Sequence, residues 1–322
     1  MREPRDRRRR TRTAARAARP IGRRPLVALF RPERGTALNT ARKHRSSRSR
    51  RGPVRLVLTF LCALLAASVL VPSAGAGSAP AAADGKGVSA RPAPGADQAL
   101  ADVNASWYYN WASGPDLATP DGTEFVPMIW GRDSVTDEEL DRAAREGSQL
   151  LGFNEPDLGE QSAMSVEEAL DLWPRLESTG LRLGAPAVAH SGDVAGGWLD
   201  RFMRGAEERG LRVDFIPVHW YGADFGPNAT DHLRSYLDAV AERYGKPVWL
   251  TEYALIDFTG SQPRYPSEQE QTAFVRSSTE MLNSLPHLER YAWFTLSTDT
   301  YQTGLYNGAN ANSSGAAYRD AG

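Results

Sequence analysis

The chain is poor in cysteine. Its 322 residues include 1 cysteine, Cys62, which lies inside an apolar segment near the N-terminus. A form of the protein that has lost this segment has no thiol, which excludes disulfides, cysteine-ligated zinc and cysteine nucleophiles. Its stability must then come from burial of an apolar core, and roughly 220 residues after about position 100 suffice for one well-packed domain.

Several common catalytic signatures are also missing. No Gly-rich turn follows the first predicted strand, and neither a phosphate loop nor a dinucleotide fingerprint is present. The histidines show neither His-x-His nor His-Glu-x-x-His spacing, and no Gly-x-Ser-x-Gly elbow is found. These absences disfavour nucleotide-dependent enzymes, serine hydrolases and zinc enzymes, so we expect no metal and no cofactor.

The near-neutral total charge hides two opposite parts. Residues 1–55 carry a net charge of +17, and residues 56–322 carry −18. The basic extension 1–53 runs into the apolar segment Val54–Leu70, which small-residue runs follow up to Ala83. This order over residues 54–83 is typical of a secretory signal, with a retained membrane anchor as the alternative. The length of the extension favours a translation start downstream of Met1.

The predicted location limits the partners. We expect a secreted, extracellular protein without stable membrane association after cleavage, and we expect a monomer. An exported domain with 18 excess negative charges is not expected to bind nucleic acid, because phosphate contacts require Lys and Arg.

Three regions follow the signal. Residues 84–101 are rich in Ala, Gly and Pro and predict a flexible linker, residues 102–310 predict one catalytic domain, and residues 311–322 predict a poorly packed tail. Short apolar runs within the domain predict strands at Ser106–Trp111, Phe125–Trp130, Gln149–Asn154, Leu183–Val188, Phe215–Trp220, Val248–Tyr253 and Tyr291–Leu296. Amphipathic stretches predict helices at Asp137–Glu146, Val166–Ser178, Trp198–Arg209, His232–Tyr244 and Glu268–Leu285.

Strands that alternate with helices at this spacing predict an α/β fold with a parallel sheet. An eight-fold barrel and a doubly wound open sheet both fit. Because nucleotide-binding motifs are missing, we predict the (β/α)8 TIM barrel. The pattern shows seven strands rather than eight, so one early strand must be short or irregular.

Two glutamates are the main catalytic candidates. Glu155 follows the run Leu151–Asn154, and Glu252 follows the run Val248–Thr251, 97 positions further along. That separation holds three βα units of about 30 residues each. Two carboxyl groups on strand ends are what glycosidic bond cleavage needs, one as proton donor and one as nucleophile or base. The alternative is a helix-capping turn at Glu155 and a salt-bridged glutamate at Glu252.

Polar and aromatic side chains near the strand ends are candidates for sugar binding. Aromatic faces pack on sugar C–H groups, although core packing is the alternative for each ring. Alternate residues of a strand face opposite ways, so His219 and Trp220 cannot both point inward. The predicted substrate-binding residues are Asn154, His219, Trp220, Tyr221, Tyr253, Trp293, Trp130 and Tyr109.

Four motifs together resemble glycoside hydrolase family 128, also called the Asl1-like catalytic domain. They are Phe-Asn-Glu-Pro-Asp at 153–157, His-Trp-Tyr at 219–221, Trp-Leu-Thr-Glu-Tyr-Ala at 249–254 and Tyr-Ala-Trp-Phe at 291–294. The resemblance implies membership of the clan of retaining glycosidases on (β/α)8 barrels. In that clan the acid/base follows the fourth strand and the nucleophile the seventh, which implies these roles for Glu155 and Glu252. It also implies action on β-1,3-glucan.

The sequence therefore predicts a secreted retaining β-1,3-glucanase whose partner is its polysaccharide substrate. A hydrolase of the same clan that acts on β-mannan or xylan is one alternative. A non-catalytic β-glucan-binding protein is another, and the presence of both glutamates argues against it.

Overall fold

The computed structural model of the protein describes residues 85–322. The predicted basic extension and secretory signal, with Cys62, lie outside these residues. Within residues 85–322, no helix combines the length and the hydropathy needed to cross a membrane.

Eight parallel strands, a small antiparallel hairpin and seven α-helices make up the described chain. The strands are β1 (Lys86–Ser89), β2 (Trp107–Tyr109), β3 (Glu124–Phe125), β4 (Gln149–Leu150), β5 (Arg182–Leu183), β6 (Ile216–Gly222), β7 (Val248–Leu255), β8 (Leu288–Trp293), β9 (Tyr306–Asn307) and β10 (Asn310–Ala311). The helices are α1 (Ala96–Asp102), α2 (Asp137–Glu146), α3 (Val166–Glu177), α4 (Trp198–Arg209), α5 (Ala229–Tyr244), α6 (Glu268–Asn283) and α7 (Ser313–Arg319).

The parallel strands close into a ring. Six of them form one sheet in the order β3-β2-β1-β8-β7-β6, and β4 pairs with β5. Single parallel bridges, Met128 to Leu151 and Gly184 to Phe215, connect this pair to the sheet on either side. The helices between the strands cover the outside, as in a TIM barrel. The predicted fold is confirmed.

The eighth strand lies where the sequence predicts a linker. Residues 84–101 contain β1, which is buried and pairs in parallel with both β2 and β8, and also most of α1. The flexible-linker prediction is therefore wrong. With β1 counted, β4 is the fourth strand and β7 the seventh.

The prediction that the C-terminal tail is poorly packed is also wrong. Residues 311–322 contain α7, in which Ser314, Ala317 and Tyr318 are buried. A Cβ atom at Gly315 would lie 2.1 Å from the carbonyl oxygen of Leu305, so only glycine permits this approach. A segment rich in small residues packs closely here instead of remaining loose.

Large aromatic rings fill the barrel interior below the site. Trp107 of β2 packs against Trp249 of β7, with ring centroids 5.3 Å apart, and Trp249 stacks on Phe215 at 4.1 Å. Neighbouring strands leave room for these rings. A Cβ atom at Gly87 would lie 2.4 Å from the ring of Trp107. The rings form a rigid floor beneath the C-terminal ends of the strands.

Candidate active site

Glu155 lies just beyond β4, at the C-terminal end of the barrel, where this fold places its catalytic groups. Its backbone N–H donates to the carbonyl of Ala187 over 2.7 Å, which ties it to the segment after β5. Its φ is +44°, a left-handed conformation that is uncommon for a residue with a side chain. Pro156 follows and disfavours a helix at this point. The surrounding contacts therefore hold Glu155 in a costly backbone conformation.

Glu252 lies within β7, and a β-bulge turns it inward. Leu250 aligns with Val218 of β6, whereas Glu252 aligns with the next residue, His219. Thr251 is therefore an extra residue, and the register with β8 shifts over the same stretch. Bulges re-aim side chains in this way beside active sites. The bulge brings Glu252 to the interior face that Trp249 occupies lower in the barrel.

His219 links the two glutamates. Its Nδ1 lies 2.9 Å from Oε1 of Glu155 and 3.5 Å from Oε2 of Glu252. One carboxylate oxygen of each glutamate and one histidine nitrogen lie within 4.8 Å of one another. All three side chains are buried, and that of His219 is 0% exposed. The two predicted catalytic carboxyl groups are thus neighbours in a nearly enclosed site.

Three further donors converge on Glu252. The indole Nε1 of Trp111 donates to Oε1 over 2.8 Å, and the hydroxyl of Tyr109 shares its proton between the same oxygen at 3.3 Å and the carbonyl of Thr251 at 2.9 Å. The hydroxyl of Tyr221 donates to Oε2. Hydrogen bonds to a carboxylate stabilise its ionised form. The bonds from Trp111 and Tyr221 therefore lower the pKa of Glu252, against the effect of its burial, and the donors fix its orientation from two sides.

The electrostatics follow from burial and from the two carboxylates. Burial raises the pKa values of Tyr109 and Tyr221, and the negative charge of Glu252 raises them further, so both phenols remain donors. Burial also raises the pKa of Glu252, against the lowering effect of His219. Burial alone would lower the pKa of His219, but the two glutamates outweigh it and the net shift is upward. Both shifts are in the direction of proton uptake, at His219 and at Glu252.

Five of the predicted binding residues lie at or beside this cluster. Tyr109, His219 and Tyr221 contact the glutamates directly. Asn154 is buried next to Glu155, and its Oδ1 accepts no hydrogen bond from residues 85–322. Trp130 is half-buried, and its carbonyl accepts a hydrogen bond from the N–H of Asn154.

The other three predicted binding residues face the helices. Trp220 stacks on Phe274 of α6, with ring centroids 5.8 Å apart. Tyr253 and Trp293 are both 0% exposed and pack edge to face against each other at 5.0 Å. Tyr253 and Trp293 are enclosed between the barrel and its outer helices, so the prediction that they contact substrate is wrong, whereas for the partly exposed Trp220 it stays a prediction.

Sequence reasoning missed several residues of the site. Trp111 lies two positions after Tyr109, a spacing that signals the same face of an extended segment. Phe294 lies between Trp111 and Tyr221, with ring centroids 6.0 and 5.4 Å away. Phe258 is 40% exposed and packs edge to face on Tyr221. No periodic signal in the sequence identifies Phe258, because it follows the end of β7.

The cluster of Glu155, His219 and Glu252 also offers the donor atoms of a divalent cation site. Trp111 already donates to Oε1 of Glu252, and Tyr221 donates to Oε2. A cation bound at these oxygens would have to compete with the two hydrogen bonds. The arrangement is better suited to proton transfer and nucleophilic attack than to coordination.

Comparison with known proteins places this site in a family. A sequence model described as the glycosyl hydrolase catalytic core matches residues 87–319. An endo-β-1,3-glucanase of glycoside hydrolase family 128, subgroup I, from Amycolatopsis mediterranei is 64% identical. Its structure with laminarihexaose aligns with 74% of this chain and 100% of its own, at a TM-score of 0.74. The chain belongs to glycoside hydrolase family 128.

Two further relatives agree with this assignment. A subgroup II endo-β-1,3-glucanase from Sorangium cellulosum is 31% identical and aligns with 74% of this hydrolase and 98% of its own chain, at a TM-score of 0.62. Alkali-sensitive linkage protein 1 of Schizosaccharomyces pombe is 31% identical over 233 residues, which are 69% of this hydrolase and 41% of that protein. The hydrolase thus spans less than half of that relative. The predictions of family, fold and enzyme class are confirmed.

Proposed function

We propose that this hydrolase is a secreted, retaining endo-β-1,3-glucanase in which Glu155 is the acid/base and Glu252 the nucleophile. The observation that carries the proposal is the approach of the two carboxylates within 4.8 Å at the ends of β4 and β7. Retaining glycosidases separate their carboxyl groups by about 5–5.5 Å, whereas inverting enzymes need about 6.5–9.5 Å to fit a water molecule.

The surroundings of the two carboxyl groups support these separate roles. Glu252 accepts hydrogen bonds from Trp111, Tyr109 and Tyr221, which favours the ionised state that a nucleophile requires. Among the described residues, the side chain of Glu155 has one hydrogen-bonding partner, Nδ1 of His219. Glu155 is therefore held by fewer hydrogen bonds than Glu252, which suits a group that must protonate one oxygen and then deprotonate another.

The Amycolatopsis mediterranei enzyme supports the residues and the substrate class. Some of its structures are of variants in which one glutamate, at position 102 or at position 199 of that chain, is replaced. These complexes hold laminari-oligosaccharides. These two positions are 97 apart, the separation of Glu155 and Glu252 in this chain. With 64% identity across that whole chain, we infer the same endo action on β-1,3-glucan.

The reaction proceeds in two steps. Glu252 attacks the anomeric carbon while Glu155 protonates the departing glycosidic oxygen, which leaves a glycosyl–Glu252 ester and releases the first product. Glu155, now ionised, removes a proton from water as that water attacks the same carbon, and Glu252 is released. His219 contacts both carboxylates and orients them throughout the two steps.

The test is incubation of the secreted protein with laminarin, curdlan, mannan and cellulose, with reducing ends and product sizes measured. A ladder of oligosaccharides from the β-1,3-glucans alone is expected, and proton NMR should show β-anomeric product first. Glu252→Ala should abolish turnover and keep oligosaccharide binding, while the exposed control Glu242→Ala should behave as the unchanged enzyme. Turnover by Glu252→Ala, or initial α-product, would refute the mechanism. A single small product would mean exo action.

Secretion is tested separately by fractionation. Protein in the culture supernatant, with an N-terminus between residues 72 and 86, is the expected result. Protein retained in the membrane fraction would instead show that the apolar segment Val54–Leu70 stays attached as an anchor.

A further inference from the structure

The loop that carries Glu155 is attached to the neighbouring loop on both sides of the catalytic residue. On the N-terminal side, Asn154 and Ala187 form a parallel bridge, and the N–H of Glu155 donates to the carbonyl of Ala187 over 2.7 Å. On the C-terminal side, the carboxylate of Asp157 accepts the N–H of Ala189 at Oδ1 over 2.8 Å and that of His190 at Oδ2 over 3.1 Å. Glu155 lies between these two attachments.

The carboxylate of Asp157 has no other evident task. Among residues 85–322, no cationic side chain forms an ion pair with it. It is largely removed from water, and burial raises its pKa against the lowering effect of the backbone N–H groups of Ala189 and His190. A desolvated carboxylate without a cation is costly, so its hydrogen bonds to the two N–H groups are what retain its charge in this position.

We propose that Asp157 is a positioning residue that holds Glu155 in its left-handed backbone conformation, with its carboxyl group beside Glu252. This inference rests on the proposed role of Glu155 as acid/base. Asp157 itself does not contact the reacting atoms. It fixes the chain two residues after Glu155. This attachment prevents the φ of +44° at Glu155 from relaxing.

Dependence on the leaving group distinguishes positioning of an acid from general support of the fold. A phenyl β-laminaribioside needs protonation of its leaving oxygen, whereas the 2,4-dinitrophenyl compound releases a stable anion without it. The value of kcat/KM reports the first, bond-breaking step for both substrates. The ratio of the two values is independent of how much of a sample is folded, because the concentration of active enzyme cancels.

The variant is Asp157→Asn, which keeps the size but places an NH₂ group against one of the two N–H groups. Asp157→Ser is a second variant. It retains one acceptor oxygen, so we expect a smaller change in the ratio of the two kcat/KM values. We expect the dinitrophenyl-to-phenyl ratio of kcat/KM to rise by about 10- to 100-fold in Asp157→Asn, as a small displacement of a catalytic group commonly causes. An unchanged ratio in both variants would overturn the proposal, whatever happens to their stability.

Asp214 provides a control at the other end of the barrel, although its carboxylate, unlike that of Asp157, also pairs with Arg212. Its carboxylate also accepts a backbone N–H, that of Leu183 over 2.7 Å, but just before β6 at the N-terminal end of the barrel. Asp214→Asn should lower the unfolding temperature and leave the ratio unchanged. A raised ratio in this variant too would show that the effect is not specific to the Glu155 loop.

The failure of this inference and the failure of the proposed function give different results. Glu155→Ala must itself raise the ratio if Glu155 is the acid. A raised ratio in Glu155→Ala without one in Asp157→Asn would overturn the positioning role alone. No increase in Glu155→Ala would overturn the acid/base assignment.

Discussion

The indole Nε1 of Trp111 donates a hydrogen bond of 2.8 Å to Oε1 of Glu252, across the interior of the barrel. Trp111 lies two residues beyond the end of β2, with a φ of +63°. A tryptophan in a left-handed conformation is unusual, and here it points the N–H at the carboxylate. The bond lowers the pKa of Glu252 and so opposes the effect of burial.

Replacing Trp111 with Phe should therefore shift the pH profile. Trp111→Phe keeps a ring and removes the donor, so the pKa of Glu252 rises. The acidic limb of kcat/KM should move to higher pH by about one unit, since a hydrogen bond to a charged group contributes about 1.5–3 kcal/mol. Trp198→Phe is the control, because its indole donates to the carbonyl of Met164 instead. An unshifted limb in Trp111→Phe would contradict the role of this bond.

Glu252→Gln should make the protein more stable at neutral pH. The pKa of Glu252 is raised in the folded state, mainly by burial, so ionisation of this group costs stability as the pH rises through that value. Glutamine removes the cost. We expect the unfolding midpoint at pH 7 to rise by about 2–4 °C, the shift that about 1 kcal/mol produces in a domain of this size.

The gain from Glu252→Gln should disappear below about pH 4, the pKa of an unperturbed glutamate, because Glu252 is then protonated in both states. Thermal unfolding at several pH values measures this. The exposed Glu242→Gln serves as the control and should change the midpoint little at any pH. A lower midpoint for Glu252→Gln at pH 7 would show that its hydrogen bonds outweigh its desolvation.

Trp293→Phe should affect stability rather than activity. The indole Nε1 of Trp293 donates to the carbonyl of Thr303 over 2.8 Å in a fully buried position outside the barrel. The carbonyl of Thr303 keeps a second hydrogen bond, from Nε2 of Gln271 over 3.3 Å, so denaturant unfolding should show a loss of about 1 kcal/mol, the net contribution of one hydrogen bond. The KM for laminari-oligosaccharides should not change.

Tyr221→Phe should give the opposite result to Trp293→Phe. It removes a donor to Glu252 and should lower kcat with a smaller effect on unfolding. A raised KM in Trp293→Phe at full folding would instead return Trp293 to the substrate site.

Lys86→Met should destabilise the contact between the first strand and the last helix. The ammonium group of Lys86 is buried and donates to the carbonyls of Tyr318, Arg319 and Ala321 at the end of α7. Methionine fills similar space without donors, and a loss of about 2 kcal/mol is expected because the hydrogen bonds of the charged donor are lost. Faster cleavage of the C-terminal residues by a carboxypeptidase should accompany it. The partly exposed Lys246→Met should show neither effect.

The sequence identifies those elements whose signals are local. Helix α2 begins and ends at the predicted residues, because Thr136 caps an acidic first turn, accepting the N–H of Glu139. Both glutamates are recognisable because each ends an apolar run. The sequence does not show directly that β4 and β7 are the fourth and seventh strands, because β1 lies in a segment rich in Pro, Ala and Gly that does not resemble a strand. Two neighbouring strands, rather than its own composition, make β1 a strand.

The direction in which the aromatic side chains of β7 point depends on one residue, Thr251. Simple alternation along β7 would place Trp249, Thr251 and Tyr253 on one face and Glu252 on the other. The bulge at Thr251 reverses this order, so Trp249 and Glu252 both face the interior and Tyr253 faces α6. A bulge arises from pairing with β6 and β8, and no pattern in the sequence of β7 marks it.

The closure of the ring by β1 and β8 has a consequence for how the molecule assembles. Lys86 pairs with Tyr291, which lies 205 positions further along the chain. Contacts between such distant residues are slow to form, because a long loop must close before they contribute. A polypeptide that emerges N-terminus first therefore keeps one edge of β1 unpaired until β8 is available. The catalytic barrel can therefore close only after the eighth strand has been made.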